Sequence, residues 1–332
     1  MNINEFTFLV FSYNHEKYIT EHLESIKYLI QTYAAEIYVD IILNDDCSKD
    51  KTIQIIDAWI ENNRRLFRNE TRLFNNKNIG TCASVVNALS EVRTPCFKMT
   101  AGDDVYSFEN IFLHSNFSRD TGMISGIPIR IVDDQIIKNK FEILSVILTQ
   151  KIYENKPLRR RFVYASNNNA PNMMFNSDFI RAADTYAFIK KFDVVEDWPM
   201  QVHVAEKNPN LKFLLKNKVF VYYRRTTGST YIVASERFKR DKNKMFQYLI
   251  DGASNFFEKL ILINRRYVFL NGGKRHSKYI NISLYLFAIS SFLKLRHALR
   301  LEGEIRTEEH IAHYNLIKNK SRNFLNYITL SL

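Results

Sequence analysis

Apolar positions along this chain follow two rhythms. Up to about residue 130, short β-rich apolar runs alternate with longer stretches in which apolar residues recur every three or four positions. Phe6–Phe11, Tyr38–Leu43, Thr71–Phe74 and Cys96–Met99 predict strands. Tyr18–Tyr33, Thr52–Ile60 and Thr81–Ser90 predict helices, the first with Ile19, Leu23, Ile26, Leu29 and Ile30 on one stripe. Strands separated by helices of this length imply right-handed crossovers and a mostly parallel sheet.

From residue 123 the rhythm changes. Met123–Ile127 and Ile129–Val132 flank Pro128, Ala170–Phe175 follows, and a helix is expected from Ser177, as N-cap, to about Lys190. Another helix should begin near Trp198-Pro199, since proline suits a first turn, and Lys218–Tyr223 reads as a late strand. Beyond residue 231 strand signals fade. Phe246–Leu262 and Ile282–Leu299 carry apolar stripes interspersed with Lys and Arg, separated by a turn at Gly272-Gly273. The expected organisation is an α/β unit over 1–230 and a basic helical region over 231–332. The apolar part of the last stripe, Ile282–Leu293, is shorter than the roughly 20 residues of a membrane span. It fits an interfacial or packed amphipathic helix.

Charge sharpens that division. The net charge is +12, and residues 231–332 hold 18 Lys and Arg against 8 Asp and Glu. The tail therefore suits an anionic surface, lipid or nucleic acid, unless it is simply a solvated helical face. Three cysteines without zinc spacing fit a reduced, cytosolic setting. The start lacks a basic n-region, so Phe6–Phe11 is expected to be a strand and not a signal peptide. No phosphate loop of the Gly-x-x-x-x-Gly-Lys type and no Gly-x-Gly-x-x-Gly is present, which excludes those nucleotide-binding classes. No nucleic-acid motif accompanies the basic tail.

The candidate chemistry lies in paired carboxylates. Asn44-Asp45-Asp46-Cys47-Ser48-Lys49-Asp50 and Gly102-Asp103-Asp104 each follow an apolar run. Each pair therefore sits at a strand's C-terminal end, the edge where open α/β sheets bind ligands. Two acidic clusters on one edge repel unless something positive joins them. A divalent metal carrying a diphosphate answers that need, and oxygen ligands suit Mg²⁺ or Mn²⁺. Asp46, with Asp45 beside it, can accept from a base N–H or a ribose hydroxyl. The plainer alternatives are a cap on the helix at Thr52, a Gly-Asp-Asp turn, and, for Glu196 and Asp197, acids answering a helix dipole.

The order of motifs carries more than any one of them. Ser12-Tyr13-Asn14 is followed by Asp45-Asp46-Cys47-Ser48-Lys49-Asp50, Asn78-Ile79-Gly80, Ala101-Gly102-Asp103-Asp104, Glu196-Asp197-Trp198 and Tyr223-Arg224-Arg225-Thr226-Thr227-Gly228-Ser229. This series resembles the family 2 inverting glycosyltransferases of the GT-A fold over about residues 5–230. That family runs Tyr-Asn, Asp-Asp-Gly-Ser-x-Asp, Asn-x-Gly, Asp-x-Asp-Asp, Glu-Asp and Tyr-Arg-x-His-x-x-Ser. The resemblance implies a GT-A α/β fold, mostly parallel, with a C-terminal helical extension. It implies a transferase moving a sugar, from a UDP-linked donor, onto a hydroxyl of a glycan in bacterial-type surface polysaccharide synthesis.

By the same resemblance Ser12, Tyr13, Asn14, Asp45, Asp46, Asn78, Gly80, Gly102, Asp103, Asp104 and Arg224 would hold the donor. Asp103 and Asp104 would hold Mg²⁺ or Mn²⁺. Asp197 would be the general base, with Glu196 its competitor and Trp198 a flat wall for the acceptor sugar. The sequence departs from the pattern at Ala101, in place of the first metal-binding Asp, and at Thr226, in place of His. A catalytically degenerate nucleotide-sugar binder or assembly protein is therefore the rival expectation. The acceptor is expected to be a glycan or a lipid-linked glycan. The C-terminal helices are expected to dock electrostatically on the inner face of the cell membrane, releasing in high salt, or to form a homo-oligomer interface. Arg159-Arg160-Arg161 is read either as a contact for an anionic acceptor or as a solvated loop, and His15 either as a neighbour of the nucleotide or, by preference, as an exposed loop histidine.

Overall fold

The first strand, β1 (Glu5–Ser12), is sandwiched between two cores. Phe6, Phe8 and Val10 point to one side and Leu9 to the other, the period-two alternation of a central strand covered on both faces. The computed structural model describes residues 4–165, 169–225, 235–272 and 274–331. Ten further strands follow: β2 (Tyr38–Asp45), β3 (Asn69–Phe74), β4 (Cys96–Ala101), β5 (Val105–Tyr106), β6 (Thr121–Ser125), β7 (Ile129–Val132), β8 (Gln135–Ile137), β9 (Met173–Asn176), β10 (Lys212–Leu215) and β11 (Val221–Arg224).

Seven of them form one sheet in the order β10-β6-β9-β4-β1-β2-β3. All its pairs are parallel except those of β9, which runs against both β4 and β6. The chain passes outward from β1 through β2 to β3, then returns so that β4 lies on the other side of β1. The β1–β4 boundary is therefore the switch point of the sheet, the place where open α/β sheets bind ligands. Helices Ile19–Tyr33 and Thr52–Asn63 cover one face. Helices Thr81–Glu91 and Asp197–Lys207 cover the other. A second sheet, β5-β11-β7-β8, packs beneath helix Lys140–Tyr153.

Several expectations need correction. The segment after Ser177 forms two short helices, Ser177–Ile180 and Ala183–Ile189, and the cap is Asn176, whose side chain accepts from the Asp178 N–H. Ala170–Asn172 is a 3₁₀ turn ahead of β9. The stripe Phe246–Leu262 belongs to two helices, Ser235–Asp251 and Phe256–Leu270, which part at Gly252. Gly272 lies in the expected turn, whereas Gly273 lies outside the described residues.

The C-terminal third is built into the fold. Met245, Phe246, Leu249 and Leu262 share the core of the large sheet, while Ala298, Tyr314 and Ile317 share that of the small one. Arg224 shows how tightly it is tied. Its backbone N–H donates to Asp104 Oδ1 (2.9 Å), and its buried guanidinium donates to the Asp103 carbonyl (2.7 Å), Asp134 (2.7 Å), Glu21 (2.5 Å) and the Tyr314 hydroxyl (3.1 Å). The guanidinium also lies 4.5 Å from the Tyr18 ring centre. One side chain thus joins β11, the loop after β4, the first helix and the last helix, Thr307–Ser331. Removing one partner of such a buried pair strands the others. Arg224→Met should lower unfolding free energy in urea by about 3–5 kcal/mol; a loss under about 1 kcal/mol would show that the cluster is not a structural hub.

Candidate active site

The site grows from the C-terminal edge of β1, β2 and β4. Beyond β2, Asp45 is fully buried and accepts from Ser12 Oγ (2.7 Å), Ser48 N (2.7 Å) and Ser48 Oγ (2.6 Å). Asn14 clasps the same turn, donating its N–H to Ser48 Oγ and accepting from Lys49 N through Oδ1, both at 2.8 Å. Asn14 and Cys47 both have positive φ, 55° and 69°. Cys47 stands where the family pattern has glycine, the residue that adopts this conformation without strain. Asp45, Ser12 and Asn14 therefore shape the edge, and Tyr13, almost half exposed, presents its ring beside them.

Asp46 faces the other way. Its Oδ1 accepts from Ile79 N (2.8 Å) and Asn75 Nδ2 (3.0 Å), and its Oδ2 from Gly80 N (3.0 Å). It makes no bond to the helix at Thr52, whose first N–H donates instead to Asp50 Oδ1 at 3.0 Å. Asp46 instead fixes the entry to helix Thr81–Glu91. Gly80 has φ +87°, and a Cβ there would stand 2.9 Å from Asp193 Oδ1. Asn78 is exposed on the approach to it.

Beyond β4, Gly102 donates to the Phe11 carbonyl at 2.7 Å and lies beneath Ile19 and the His15 ring. His15 is half-buried, and its Nδ1 has no hydrogen-bond partner among the described residues, which corrects the exposed-loop expectation. The two acids that follow part company. Asp103 is half-exposed. Asp104 is fully buried, with Oδ1 on Arg224 N and Oδ2 without a partner among the described residues; burial and the neighbouring Asp103 push its carboxyl well up from the usual range.

The expected metal pair thus reduces to one carboxylate. Among the described residues no cluster of three or more His, Cys, Asp or Glu could hold a metal ion. Asp103 alone fits the mode in which Mg²⁺ or Mn²⁺ takes one carboxylate, several waters and substrate phosphates. Asp104 does not fit, because its carboxyl is turned into the core. Arg224 is likewise withdrawn from the donor contacts, since its guanidinium is spent on the hub. Ala101 ends β4 opposite Phe11, and Thr226 lies outside the described residues.

Glu196 and Asp197 open helix Asp197–Lys207, and both are half-buried. Asp197 Oδ1 accepts from Trp198 N at 2.6 Å. Burial and then the charge of Asp197 push Glu196 up to about 8. Trp198 cannot serve as a sugar wall: it is buried, its indole N–H donates to the Phe162 carbonyl (2.8 Å), and its ring packs on Phe246.

The sequence reading missed what holds this pair. Asp241, buried on helix Ser235–Asp251, accepts with one oxygen, Oδ2, from the N–H groups of Asp193 (2.8 Å), Val194 (2.7 Å) and Val195 (3.2 Å). Arg237 and Arg240 of the same helix pair with Asp193, and the Asp193 carbonyl accepts from Cys82 N at 3.1 Å. Lys242 lies 4.6 Å from the Trp198 ring centre; burial lowers its pKa, while Asp197 and then Glu196 oppose that. A basic amphipathic helix gives no sign in sequence of which three amides one aspartate will collect.

Arg159-Arg160-Arg161 is neither a solvated loop nor an anion site as a unit. It lies in helix Leu158–Tyr164, where Arg159 pairs with Glu206 and Glu258, and buried Arg161 donates to Gln150 at 3.0 Å; only Arg160 is exposed.

A family model described as glycosyl transferase family 2 matches residues 7–183. The chain belongs to that family and has its GT-A fold. Among solved structures it is similar to S. aureus TarS 1–349, at 18% identity and TM-score 0.57, covering 96% of this chain and 91% of that one. TarS 1–349 in complex with UDP-GlcNAc matches at 17% identity and TM-score 0.57, covering 96% and 92%. Mannosyltransferase PcManGT from Pyrobaculum calidifontis, in complex with GDP-Man and Mn²⁺, matches at 12% identity and TM-score 0.56, covering 98% and 88%. No curated protein matches the chain.

Glu196 makes stability depend on pH. Its folded pKa is raised, so its contribution is complete below the unfolded value near 4.5 and is lost as pH rises through about 8. Glu196→Gln removes that dependence. The melting temperature of the unmodified protein should fall relative to the variant between pH 5 and 8; parallel curves would contradict a raised Glu196 pKa.

Proposed function

We propose that the protein transfers a sugar from a nucleotide-sugar donor, UDP-linked, to a hydroxyl of a growing glycan, with inversion at the anomeric carbon. The observation that carries this reading is the continuity between its two ends. Asp46 binds Gly80, Gly80 abuts Asp193, and Asp193–Val195 hang from Asp241 one residue ahead of Glu196 and Asp197. The switch-point edge and the acidic helix start are thereby parts of one assembly. The nucleotide-bound neighbours support a nucleoside-diphosphate donor.

In this reading Tyr13 offers a face to the base, and the lone pairs left on Asp46 accept from base or ribose. Asp103 would hold Mg²⁺ or Mn²⁺ with the donor diphosphate, and the chemistry gained there is compensation of the charge on the leaving group. Asp197 takes the proton of the acceptor hydroxyl as that oxygen attacks the anomeric carbon. The bond from that carbon to the diphosphate breaks on the opposite face, and its electron pair departs with the nucleoside diphosphate. In this reading Glu196, its carboxyl raised by burial and by Asp197, keeps its proton and leaves the role of base to Asp197. The acceptor is a glycan or lipid-linked glycan at the cytoplasmic face of the membrane, in surface polysaccharide synthesis. Ala101 favours the second reading, a catalytically degenerate nucleotide-sugar binder.

A thermal-shift series of nucleoside diphosphates and nucleotide sugars, with and without Mn²⁺, tests the donor. At a hundredfold excess over Kd the expected stabilisation is about 2.7 kcal/mol. Asp197→Asn should keep that shift and lose roughly 10²–10⁴-fold in donor turnover. Absence of any nucleotide-dependent shift would overturn the transferase reading, and a shift without turnover in the unmodified protein would favour the binder.

A further inference from the structure

The helices Phe256–Leu270 and Ile282–Gly303 carry most of the large apolar side chains that the fold leaves in solvent. Phe257 is 75% exposed, Ile289 74%, Phe292 77% and Leu293 88%. Of the most apolar stretch of Ile282–Gly303, only 11% is buried. The two helices form one unit. Asn264 accepts from the Ile282 N–H (3.0 Å) and donates to the Ile280 carbonyl (2.8 Å), so the second helix is fastened to the first. A patch of this size has a partner.

Charge identifies the partner. Residues 256–303 hold nine Lys and Arg and only two acids, Glu258 and Glu302. Both acids are buried and turned inward, Glu258 onto Arg159 and Glu302 onto Lys138. Lys259, Lys274, Arg296 and Arg300 stand exposed among the apolar residues. The outward face is therefore apolar and cationic with no acid to balance it. A second copy of this chain would bring like charge against like charge. An anionic bilayer offers hydrocarbon for the rings and phosphate for the cations.

We propose that this helix pair docks the protein on an anionic lipid bilayer by inserting its apolar side chains between the headgroups. The insertion is monotopic. Ile282–Gly303 is long enough to cross a bilayer by length and composition, but Lys294, Arg296 and Arg300 interrupt it, and the uncharged stretch Ile282–Leu293 extends only about 18 Å, short of the roughly 30 Å hydrocarbon core. Electrostatics selects the surface and apolar burial holds it. The release in high salt expected from charge alone is therefore revised: screening weakens the cationic contribution and leaves the inserted rings in place.

Flotation of the full chain with vesicles of phosphatidylcholine, or of phosphatidylcholine and phosphatidylglycerol in equal parts, tests this without reference to activity, so its outcome is separate from that of the transferase reading. The protein should float with the anionic vesicles and stay with them through a molar sodium chloride wash. Phe292→Ser with Leu293→Ser should reduce the bound fraction at least about tenfold with the melting temperature unchanged, because both side chains are exposed. Arg296→Ser with Arg300→Ser should erase the preference for anionic lipid. The proposal is overturned if the protein sediments away from both vesicle types, if the Phe292/Leu293 variant floats as well as the unmodified chain, or if salt alone releases it. It is equally overturned if light scattering shows a dimer that the Phe292/Leu293 variant splits, which would give the face to a second copy.

Discussion

One aspartate oxygen governs how this site is assembled. Asp241 Oδ2 gathers three successive backbone N–H groups, and those groups belong to the loop that delivers Glu196 and Asp197. Hydrogen bonds from amides to a buried carboxylate are charge-assisted and directional, so they fix a loop more firmly than neutral ones do. The loop in turn sets Gly80 through Asp193, and Gly80 meets Asp46. Switch-point edge and acidic helix start are held by one path of contacts, and a helix beyond residue 231 closes it.

The C-terminal third therefore has more than one task. Its first helix clamps the acidic loop, its last helix supplies Tyr314 to the Arg224 cluster, and the helices between present an apolar, cationic face outward. Basic residues that look alike in sequence do different work. Arg237 and Arg240 hold Asp193, Arg266 bridges Asn243 and Gln247 between helices, and Arg296 and Arg300 remain in solvent.

What could be read from sequence divides by range. The parallel strands and crossover helices were legible because each shows its own period over enough residues. The carboxylate pairs were legible because a strand end marks them. β5 and β8 were not, since two or three residues carry no readable alternation, and β10 was not, since its Lys212-Phe213-Leu214-Leu215 does not alternate. The break after Ile180 has neither proline nor glycine to announce it. Roles failed where partners are distant in sequence. Arg224 looked like a diphosphate ligand, but Glu21, Asp134 and Tyr314 claim it. Asp104 looked like a metal ligand, but it is buried and accepts from the Arg224 backbone N–H on β11. Trp198 looked like a sugar platform, but Phe162 and Phe246 enclose it. In each case the residue type was right for the motif, and burial decided its use.

The central claim is that helix Ser235–Asp251 positions the general base. The most direct measurement compares Asp241→Asn with the unmodified protein in donor affinity and in turnover. Asparagine keeps the shape and gives up the charge that holds three amides together. The account predicts turnover lower by about 10–100-fold, with nucleotide affinity falling much less, because Asp46 keeps its own bonds to Ile79 and Asn75 when the clamp loosens. A variant that turns over as fast as the unmodified protein, or one whose donor binding falls as far as its turnover, would contradict it.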